Sequence, residues 1–382
     1  MRICLVSSFP PNRARLAEHS HYLALNLSRE KSVDEIYVLA DKGPSSKKME
    51  RVSEKILVER AWSPNDNLSI MQIPSRIAHI KPDIVHFNVH FQSFGISRIS
   101  NFLGLSLPSI CKILNFKTVV TIHNLGELID LRKVFLPPSF FNRMGISFAT
   151  RLISKADAVA TTVKFYAEYL RSRYNARTVY IPHGTETALN CQDDPGHDGK
   201  FRILMFGHMS PYKGLDVALE SYRRLKENGD GFELWVAGES HPNFPGFLED
   251  YKKRKVDGVR YLGYTAEGDL PELFSNADVV ILPYHTATGT SGVFNLACGF
   301  GKPVVASDRP EIKELLEEGA SALIIPSDDI DKLSDALIRL NKDRGLLKEI
   351  SAANRKFALE HSWTLVAQKY VSLYKSVIQN SG

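Results

Sequence analysis

Residues 283–292, with the sequence PYHTATGTSG, form the stretch from which the fold of this chain can be inferred. They follow a short apolar run at 277–282, which is typical of a strand buried on both faces. An apolar run at 293–300 comes next and predicts a helix. Backbone N–H groups at the start of such a helix are free, and the helix dipole favours an anion there. No carboxylate lies between Asp278 and Asp308, so the stretch predicts a phosphate-binding turn, although Gly and Thr also suit an ordinary strand-to-helix connection.

The length and composition are those of a globular protein with two domains. The chain has 382 residues, of which 43% are hydrophobic and 24% are charged, and each half is long enough to bury its own core. No apolar window approaches the length that crosses a bilayer, and the N-terminus lacks a signal-peptide pattern, so we expect a cytoplasmic protein. Its four cysteines lie far apart without metal or redox spacing, which favours buried thiols in a reducing compartment.

Charge is distributed unevenly along the chain. Residues 1–190 carry 25 Lys and Arg against 15 Asp and Glu, whereas residues 191–382 carry 23 against 28. A basic first half suits an anionic partner, and without a nucleic-acid motif we expect substrate phosphate or a peripheral membrane surface rather than nucleic acid. In residues 98–117 and 131–155, apolar and aromatic residues are mixed with Arg and Lys. Such stretches suit either a membrane interface that receives a lipid-linked acceptor or amphipathic helices that cover a sheet.

Strand-like and helix-like segments alternate along the whole chain, which predicts an α/β protein with two doubly wound, Rossmann-like domains. The predicted strands lie at 2–7, 35–39, 55–59, 84–87, 118–122, 158–161, 178–181, 202–206, 233–237, 259–262, 279–282, 303–306 and 322–325. The polar segment 190–200 is the best linker candidate. We therefore predict an N-terminal domain at 1–190, a C-terminal domain at 191–362 and a last helix within 363–382. Ligands of such sheets bind beyond the carboxyl ends of the strands.

An ordered series of short segments resembles glycosyltransferase family 4. The segments are 206–216 (FGHMSPYKGLD), 236–238 (VAG), 262–264 (LGY), 277–283 (ADVVILP) and 301–306 (GKPVVA), with further landmarks at 9–11, 181–185 and 325–328. The resemblance implies the GT-B fold, in which two Rossmann-like domains face each other across a cleft and a C-terminal helix crosses back to the first domain. It also implies a retaining enzyme that uses a nucleotide-sugar donor and needs no metal or other cofactor.

The resemblance assigns the donor diphosphate to the second domain. A diphosphate leaves readily when its growing negative charge is stabilised, so the site needs cations and amide donors. Lys213, just before a glycine that opens a helix, matches the diphosphate lysine of the family and is predicted to be catalytic. The other predicted donor contacts on this side are Gly207, His208 and the amides of Ser291 and Gly292.

In the first domain the resemblance assigns a catalytic role to His123. This residue follows the predicted strand at 118–122 and matches the family position beside the donor sugar. A lone histidine at a strand end is, without the family, more often structural. Two further histidines, His86 and His90, could touch the acceptor, but we favour a place in the core or its rim.

The sequence departs from the family pattern at several positions. Members usually carry two glutamates eight residues apart, whereas here the corresponding positions fall near Thr288 and near Leu296 or Ala297. Sugar and ribose would then be held by backbone amides or by Thr288, Thr290 and Asn295. His208 stands where the family has an arginine, and Arg15 stands where it has a glycine. Arg15 either restores the lost positive charge or blocks close approach of the backbone to the donor.

The predicted function is retaining transfer of a hexose from a GDP- or UDP-sugar to a hydroxyl acceptor in glycan, polysaccharide or glycolipid biosynthesis. The missing glutamate pair supports an alternative, a non-catalytic GT-B partner or scaffold of a glycan-assembly complex. A nucleotide-sugar epimerase is disfavoured because it usually needs acidic residues beside the sugar. A dehydrogenase is disfavoured because no Gly-x-Gly-x-x-Gly follows the first strand.

Overall fold

The computed structural model describes residues 1–379 except 14, 44–46, 130–138, 187–198, 228, 230 and 287–288. The chain folds into two compact units. The first contains Met1–Gly184, a short segment that ends at Thr290, and the C-terminal segment from Trp363. The second contains the intervening residues between Thr185 and Ser362. Of the predicted linker 190–200, only residues 199 and 200 are described.

The first unit is built on a sheet of eight strands with the order β3-β4-β2-β1-β5-β6-β7-β8. The strands are β1 Arg2–Val6, β2 Glu35–Asp41, β3 Met49–Ser53, β4 Ile56–Trp62, β5 Ile84–Val89, β6 Thr118–Ile122, β7 Ala158–Thr161 and β8 Thr178–Tyr180. Only β3 pairs in an antiparallel manner, at the edge of the sheet. The helices of this unit are α1 Arg15–Arg29, α2 Asn67–Met71, α3 Ile73–Ile80, α4 Arg98–Ile113, α5 Phe140–Ile153, α6 Lys164–Tyr174 and α14 Trp363–Gln379.

Successive residues of the central strands of this sheet face opposite sides, so the sheet carries a core on each face. One core takes Cys4, Val6 and Phe87, and the other takes Ile3 and Leu5 with the helix α14. The C-terminal helix is fastened to the second of these cores by polar as well as apolar contacts. Tyr370 OH lies 2.8 Å from Thr121 Oγ1, and Tyr374 OH lies 2.7 Å from His86 Nδ1.

The second unit is built on a parallel sheet with the order β11-β10-β9-β12-β13-β14. Its strands are β9 Phe201–Phe206, β10 Phe232–Ala237, β11 Val259–Gly263, β12 Val279–Leu282, β13 Val304–Ser307 and β14 Leu323–Ile325. Its helices are α7 Leu215–Glu227, α8 Phe247–Lys252, α9 Leu270–Ser275, α10 Gly292–Gly299, α11 Pro310–Glu317, α12 Ile330–Lys342 and α13 Arg344–Glu360. This is the Rossmann strand order, whose direction of winding reverses between β9 and β12.

The predicted α/β class with two doubly wound, Rossmann-like domains is confirmed by these two sheets. Strand β3 and helix α13 were not predicted. The edge strand β3 has the sequence MERVS and is largely exposed, so it lacks the apolar run by which buried strands are recognised. The helix α13 was missed because it buries few side chains, among them the polar Asn354.

Within the described part of the chain, none of the helices combines the length and the apolar content that a bilayer crossing requires.

Candidate functional site

Two loops of the second unit meet beside strands β9 and β12, where the direction of winding of the sheet reverses. One follows β9 and the other follows β12, and both leave the carboxyl edge of neighbouring parallel strands, where ligands of such sheets bind. The backbone N–H of His285 donates to the carbonyl oxygen of Tyr212 at 3.0 Å. A Cβ atom added at Gly214, whose φ is +74°, would lie 1.9 Å from the carbonyl oxygen of Pro283. Only glycine therefore allows the two loops to pack this closely.

Lys213 is fixed where these two loops meet. It ends a single 3-10 turn, Pro211–Lys213, immediately before Gly214. Its Nζ donates to the hydroxyl of Tyr284 at 2.9 Å and lies 4.1 Å from the centroid of the same ring. Tyr284 is 6% exposed, so the ammonium is anchored to a buried aromatic ring. Tyr284 was missed at the sequence level, where it was read only as part of the turn.

Gly207 and His208 come directly after β9. The Gly207 N–H donates to the carbonyl oxygen of Ala237 at 2.9 Å. A Cβ atom at Gly238 would lie 2.0 Å from the carbonyl oxygen of Gly207. The ring of His208 packs edge-on at 6.1 Å from His241. Burial lowers the pKa of His241 to about 4, helped by the charges of His208 and Lys213, so the imidazole of His241 is neutral near pH 7.

Helix α10 begins at the residues predicted to bind phosphate. Ser291 is its N-cap, and the Ser291 hydroxyl accepts the N–H of Phe294 at 3.2 Å. Gly292 is the first helical residue. The first N–H groups of a helix have no acceptor within the helix, so they are available to an anion. Asn295 is 1% exposed, and its Nδ2 donates to the carbonyl oxygen of Ser291 at 3.0 Å while its Oδ1 has no partner.

The loop after β12 is held by charged groups that sequence reasoning missed. His285 Nε2 lies 2.9 Å from Asp216 Oδ1, and His285 Nδ1 hydrogen-bonds Asp328. The hydrogen bond to Asp216 raises the pKa of His285 to about 9, and Asp328 contributes in the same direction. Arg309 donates to the carbonyl oxygen of Tyr284 at 3.0 Å and also to that of His285. These partners lie 24 to 69 residues apart in the chain, so no local pattern could have revealed them.

Two predicted donor contacts lie elsewhere or outside the described residues. Thr288 is among the residues that the structure does not describe. The segment that ends at Thr290 belongs to the first unit, where the Thr290 hydroxyl donates to the carbonyl oxygen of Thr162 at 2.7 Å. A Cβ atom at Gly289 would lie 2.1 Å from the carbonyl oxygen of His123. A role for Thr290 in donor binding stays a prediction.

In the first unit, His123 lies directly after β6 at the carboxyl edge of the sheet. Its Nε2 lies 2.7 Å from Oδ1 of Asn88, and its ring stands edge-to-face on His19 at 4.5 Å. Burial lowers the pKa of His123 and of His19 well below the usual range, and neighbouring imidazoles add to the effect. Both rings are therefore neutral. Arg15 is the first residue of α1, and its side chain lies outside the described part.

His86 is a core histidine, as favoured from the sequence. It lies inside β5 with no exposure, and its two ring nitrogens contact Thr121 and Tyr374. Among the residues described, no group of three His, Cys, Asp or Glu side chains could hold a metal ion. Independence from metals stays a prediction.

Two Rossmann-like units on one chain are the architecture of the GT-B glycosyltransferases. Residues 16–189 match the family model described as Glycosyltransferase Family 4, and residues 200–343 match that of Glycosyl transferases group 1. Between them the two models span most of the chain. The chain belongs to glycosyltransferase family 4, as the resemblance predicted.

Several characterised proteins are similar to this chain. It is 26% identical to a phosphatidyl-myo-inositol mannosyltransferase of Mycobacterium leprae, over 47% of each chain. It is 24% identical to the lipopolysaccharide 1,2-N-acetylglucosaminetransferase of Salmonella typhimurium, over 80% of this chain and 90% of the relative. The solved structure of sucrose-phosphate synthase from Thermosynechococcus elongatus has a TM-score of 0.75 at 17% identity, with both chains fully covered, which supports the fold alone. The chain spans about half the length of several curated relatives that it matches.

Proposed function

We propose that this protein is a retaining glycosyltransferase that moves a hexose from a GDP- or UDP-sugar to a hydroxyl acceptor in glycan, polysaccharide or glycolipid biosynthesis. The observation that carries the proposal is the anchored ammonium of Lys213 on a loop that contacts the segment leading to α10. No carboxylate lies between Asp278 and Asp308 in this segment. Relatives named as mannosyl- and N-acetylglucosaminyltransferases support the same reaction class.

Departure of a nucleoside diphosphate requires groups that stabilise negative charge. Negative charge grows on the phosphate oxygen as the bond from the sugar C1 to that oxygen breaks. A fixed ammonium and backbone N–H donors stabilise that charge without reorganising, which lowers the barrier. Lys213 would supply the ammonium, and the start of α10 at Gly292 would supply the N–H donors and the positive end of the helix dipole.

We assign no carboxylate as a nucleophile that would attack the donor sugar. We therefore propose that the acceptor attacks the sugar on the same face from which the diphosphate leaves. The acceptor oxygen forms the new bond to C1 as the bond from C1 to the phosphate oxygen breaks. The proton of the acceptor hydroxyl passes to the departing phosphate oxygen. His123 would orient the donor sugar through its backbone and its neutral ring.

The substitution Lys213→Ala tests the diphosphate site. We expect transfer to fall roughly 10²-fold or more, because removing one preorganised donor to a developing charge costs that much. Lys253→Ala is the matched control, since Lys253 is exposed and pairs with Asp250 one turn earlier in the chain. Initial rates with each purified variant check the prediction, and equal rates in the two variants would contradict it.

Donor hydrolysis separates this function from the non-catalytic alternative. Thermal-shift measurements with UDP, GDP, ADP and CMP identify the base, since a ligand at 100 times its dissociation constant stabilises the native state by about 2.7 kcal/mol. The corresponding nucleotide sugar is then incubated with the protein. Slow release of the nucleoside diphosphate supports the enzyme, whereas binding without release supports a partner or scaffold protein.

We also propose that the first unit docks on the cytoplasmic face of a membrane, where a lipid-linked acceptor would be found. Helix α5 exposes Phe140, Phe141, Met144 and Phe148, which are each at least 52% exposed. The ring of Phe148 stacks on Phe102 of α4 at 5.7 Å, so the two helices share one apolar face. Helix α4 carries Arg98 and Lys112, and α5 carries Arg143 and Arg151. Basic residues beside an apolar face suit an anionic lipid surface.

A further inference from the structure

A buried hydrogen-bond network surrounds His123 in the first unit, and the transfer mechanism above makes no use of it. Its centre is Asn88, a residue of β5 with no exposure. Asn88 Oδ1 lies 2.7 Å from Nε2 of His123. Asn88 Nδ2 lies 2.8 Å from Ser20 Oγ and 3.3 Å from His19 Nδ1. One amide side chain therefore links His123 to helix α1.

The donors and acceptors around Asn88 determine which way its amide faces. Ser20 Oγ lies 2.9 Å from the carbonyl oxygen of Leu16. A carbonyl oxygen can only accept, so the single hydroxyl hydrogen of Ser20 is used there. Ser20 Oγ must then accept from its other neighbours, which are Ser7 Oγ at 2.6 Å and the NH2 group of Asn88. The amide oxygen of Asn88 is left facing His123.

The orientation of this amide determines the tautomer of His123. Because an amide oxygen can only accept, the ring nitrogen that faces it must carry a hydrogen. Burial lowers the pKa of His123 well below its usual range, and His183 and His90 add to the effect. A neutral ring carries one N–H, so the hydrogen is on Nε2 and Nδ1 keeps its lone pair.

We propose that Asn88 is a positioning residue that holds His123 in the Nε2-protonated tautomer, so that Nδ1 is the hydrogen-bond acceptor that the ring offers to the substrate. The inference rests on the proposed role of His123 beside the donor sugar. The other tautomer would place two acceptors, Asn88 Oδ1 and His123 Nε2, against each other. It would also present an N–H at Nδ1, to which a sugar hydroxyl could no longer donate.

His19 extends the same network along α1. Its Nδ1 faces the NH2 group of Asn88, so the hydrogen of its neutral ring is on Nε2, which has no hydrogen-bond partner. The ring is 3% exposed and stands edge-to-face on His123 at an interplanar angle of 80°. Asn88 therefore sets the proton position of His123, and the His19 ring restrains the plane of the imidazole.

The tautomer can be read directly from the full-length protein labelled with 15N-histidine. Long-range correlations between ring nitrogens and ring C–H protons distinguish the two neutral forms and the charged form. The signals of His123 are assigned by their loss in His123→Gln. We expect the Nε2-protonated form at neutral pH. An Nδ1-protonated or a charged His123 in the native protein would overturn the proposal.

Asn88→Ala then tests whether Asn88 is the cause. We expect a mixture of tautomers at His123 and a fall in kcat of roughly 10-fold to 10²-fold, with the donor KM changed less than kcat, because the substrate still binds but is misoriented. Thr121→Val is the matched control, since it removes buried hydrogen bonds to His86 and Tyr370 and none to His123. A pure Nε2-protonated His123 in Asn88→Ala would contradict the inference. Should that variant not fold, the spectrum of the unmodified protein decides the tautomer.

These experiments also distinguish failure of the proposed function from failure of the inference about Asn88. Normal transfer by His123→Gln would remove the role of His123 beside the sugar, whereas the ring-nitrogen spectra would still report on Asn88.

Discussion

At the scale of single residues, glycines determine how closely the loops of the second unit approach. Gly214 and Gly238 both have positive φ, and a Cβ atom at either would lie about 2 Å from a carbonyl oxygen of another loop. Such a contact cannot be relieved by a side-chain rotation, because the opposing atom belongs to the backbone. The anchored position of Lys213 therefore depends on Gly214 as well as on Tyr284.

Replacing Gly214 by alanine should destabilise the second unit far more than the same change at Gly263. Both residues have φ near +70°, but a Cβ atom at Gly263 meets nothing within 4 Å. Gly263→Ala should lower the free energy of unfolding by only about 1 kcal/mol, because alanine is strained in a left-handed conformation. Gly214→Ala adds a clash with Pro283, so it should lower the free energy of unfolding by roughly 3 kcal/mol or more. Thermal unfolding of both variants measures the difference, and equal melting temperatures would argue against the close approach.

A site residue can be nominated from the sequence where its side chain belongs to a local motif. Lys213 could be selected because it precedes a glycine within a segment that resembles a family. Tyr284 and Asn88 could not be selected, because an aromatic residue after a buried strand and a polar residue within one are each compatible with many environments. Their roles follow from partners 71 and 35 residues away.

At the scale of elements, the loop after β12 is held by the ion pairs of His285. His285 bridges Asp216 at the start of α7 and Asp328 beyond β14, so three elements are joined by one ring. Arg223 and Arg254 line the neighbouring cavity together with these residues. These ion pairs depend on the positive charge of His285, so their contribution to stability is sensitive to pH.

The stability of the second unit should therefore decline in alkaline solution. The pKa of His285 is raised to about 9 in the folded chain, whereas an unfolded histidine titrates near 6.5. Its stabilisation is thus complete below about pH 6.5 and is lost as the pH rises through 9. With both carboxylates about half exposed, we expect a contribution of roughly 1 kcal/mol after solvent screening.

Melting temperatures of the native chain and of His285→Gln between pH 6 and 10 measure this contribution. We expect the two curves to differ at pH 6 and to converge above pH 9. The control is His79→Gln, at an exposed site of α3. Its melting temperature should change with pH in parallel with that of the native chain. A constant gap between the native chain and His285→Gln would show that the charge of His285 does not stabilise the fold.

At the scale of the whole molecule, each unit has its own sheet with a core on both faces. The last helix, α14, belongs to the first unit although it is the final element of the chain. Its residues Trp363, Tyr370 and Tyr374 pack within one core of that unit. The apolar face of α4 and α5 lies in the same unit, so this unit is the one expected to meet a membrane.

Vesicle binding tests that expectation. We expect the native chain to sediment with anionic phosphatidylglycerol vesicles and to bind neutral phosphatidylcholine vesicles more weakly. The double substitution Phe140→Glu and Phe141→Glu should weaken binding roughly 10-fold to 10²-fold, because insertion of an aromatic side chain contributes about 1.5–3 kcal/mol. Leu359→Glu, at an exposed apolar residue of α13 in the second unit, should bind normally. Equal binding by both variants would contradict a docking role for α5.

The sequence by itself determined the fold class, the alternation of strands and helices, and the family, and it nominated Lys213 as a donor-binding candidate. These features are encoded locally, since a buried parallel strand needs a continuous apolar run and a phosphate-binding turn needs small residues before a helix. The tertiary structure alone decided which strands are neighbours, that Tyr284 anchors Lys213, that His285 is charged, and that Asn88 faces His123. Each of these depends on the desolvation and hydrogen-bond partners that a side chain acquires only when distant segments pack together, and spacing along the chain carries no record of them.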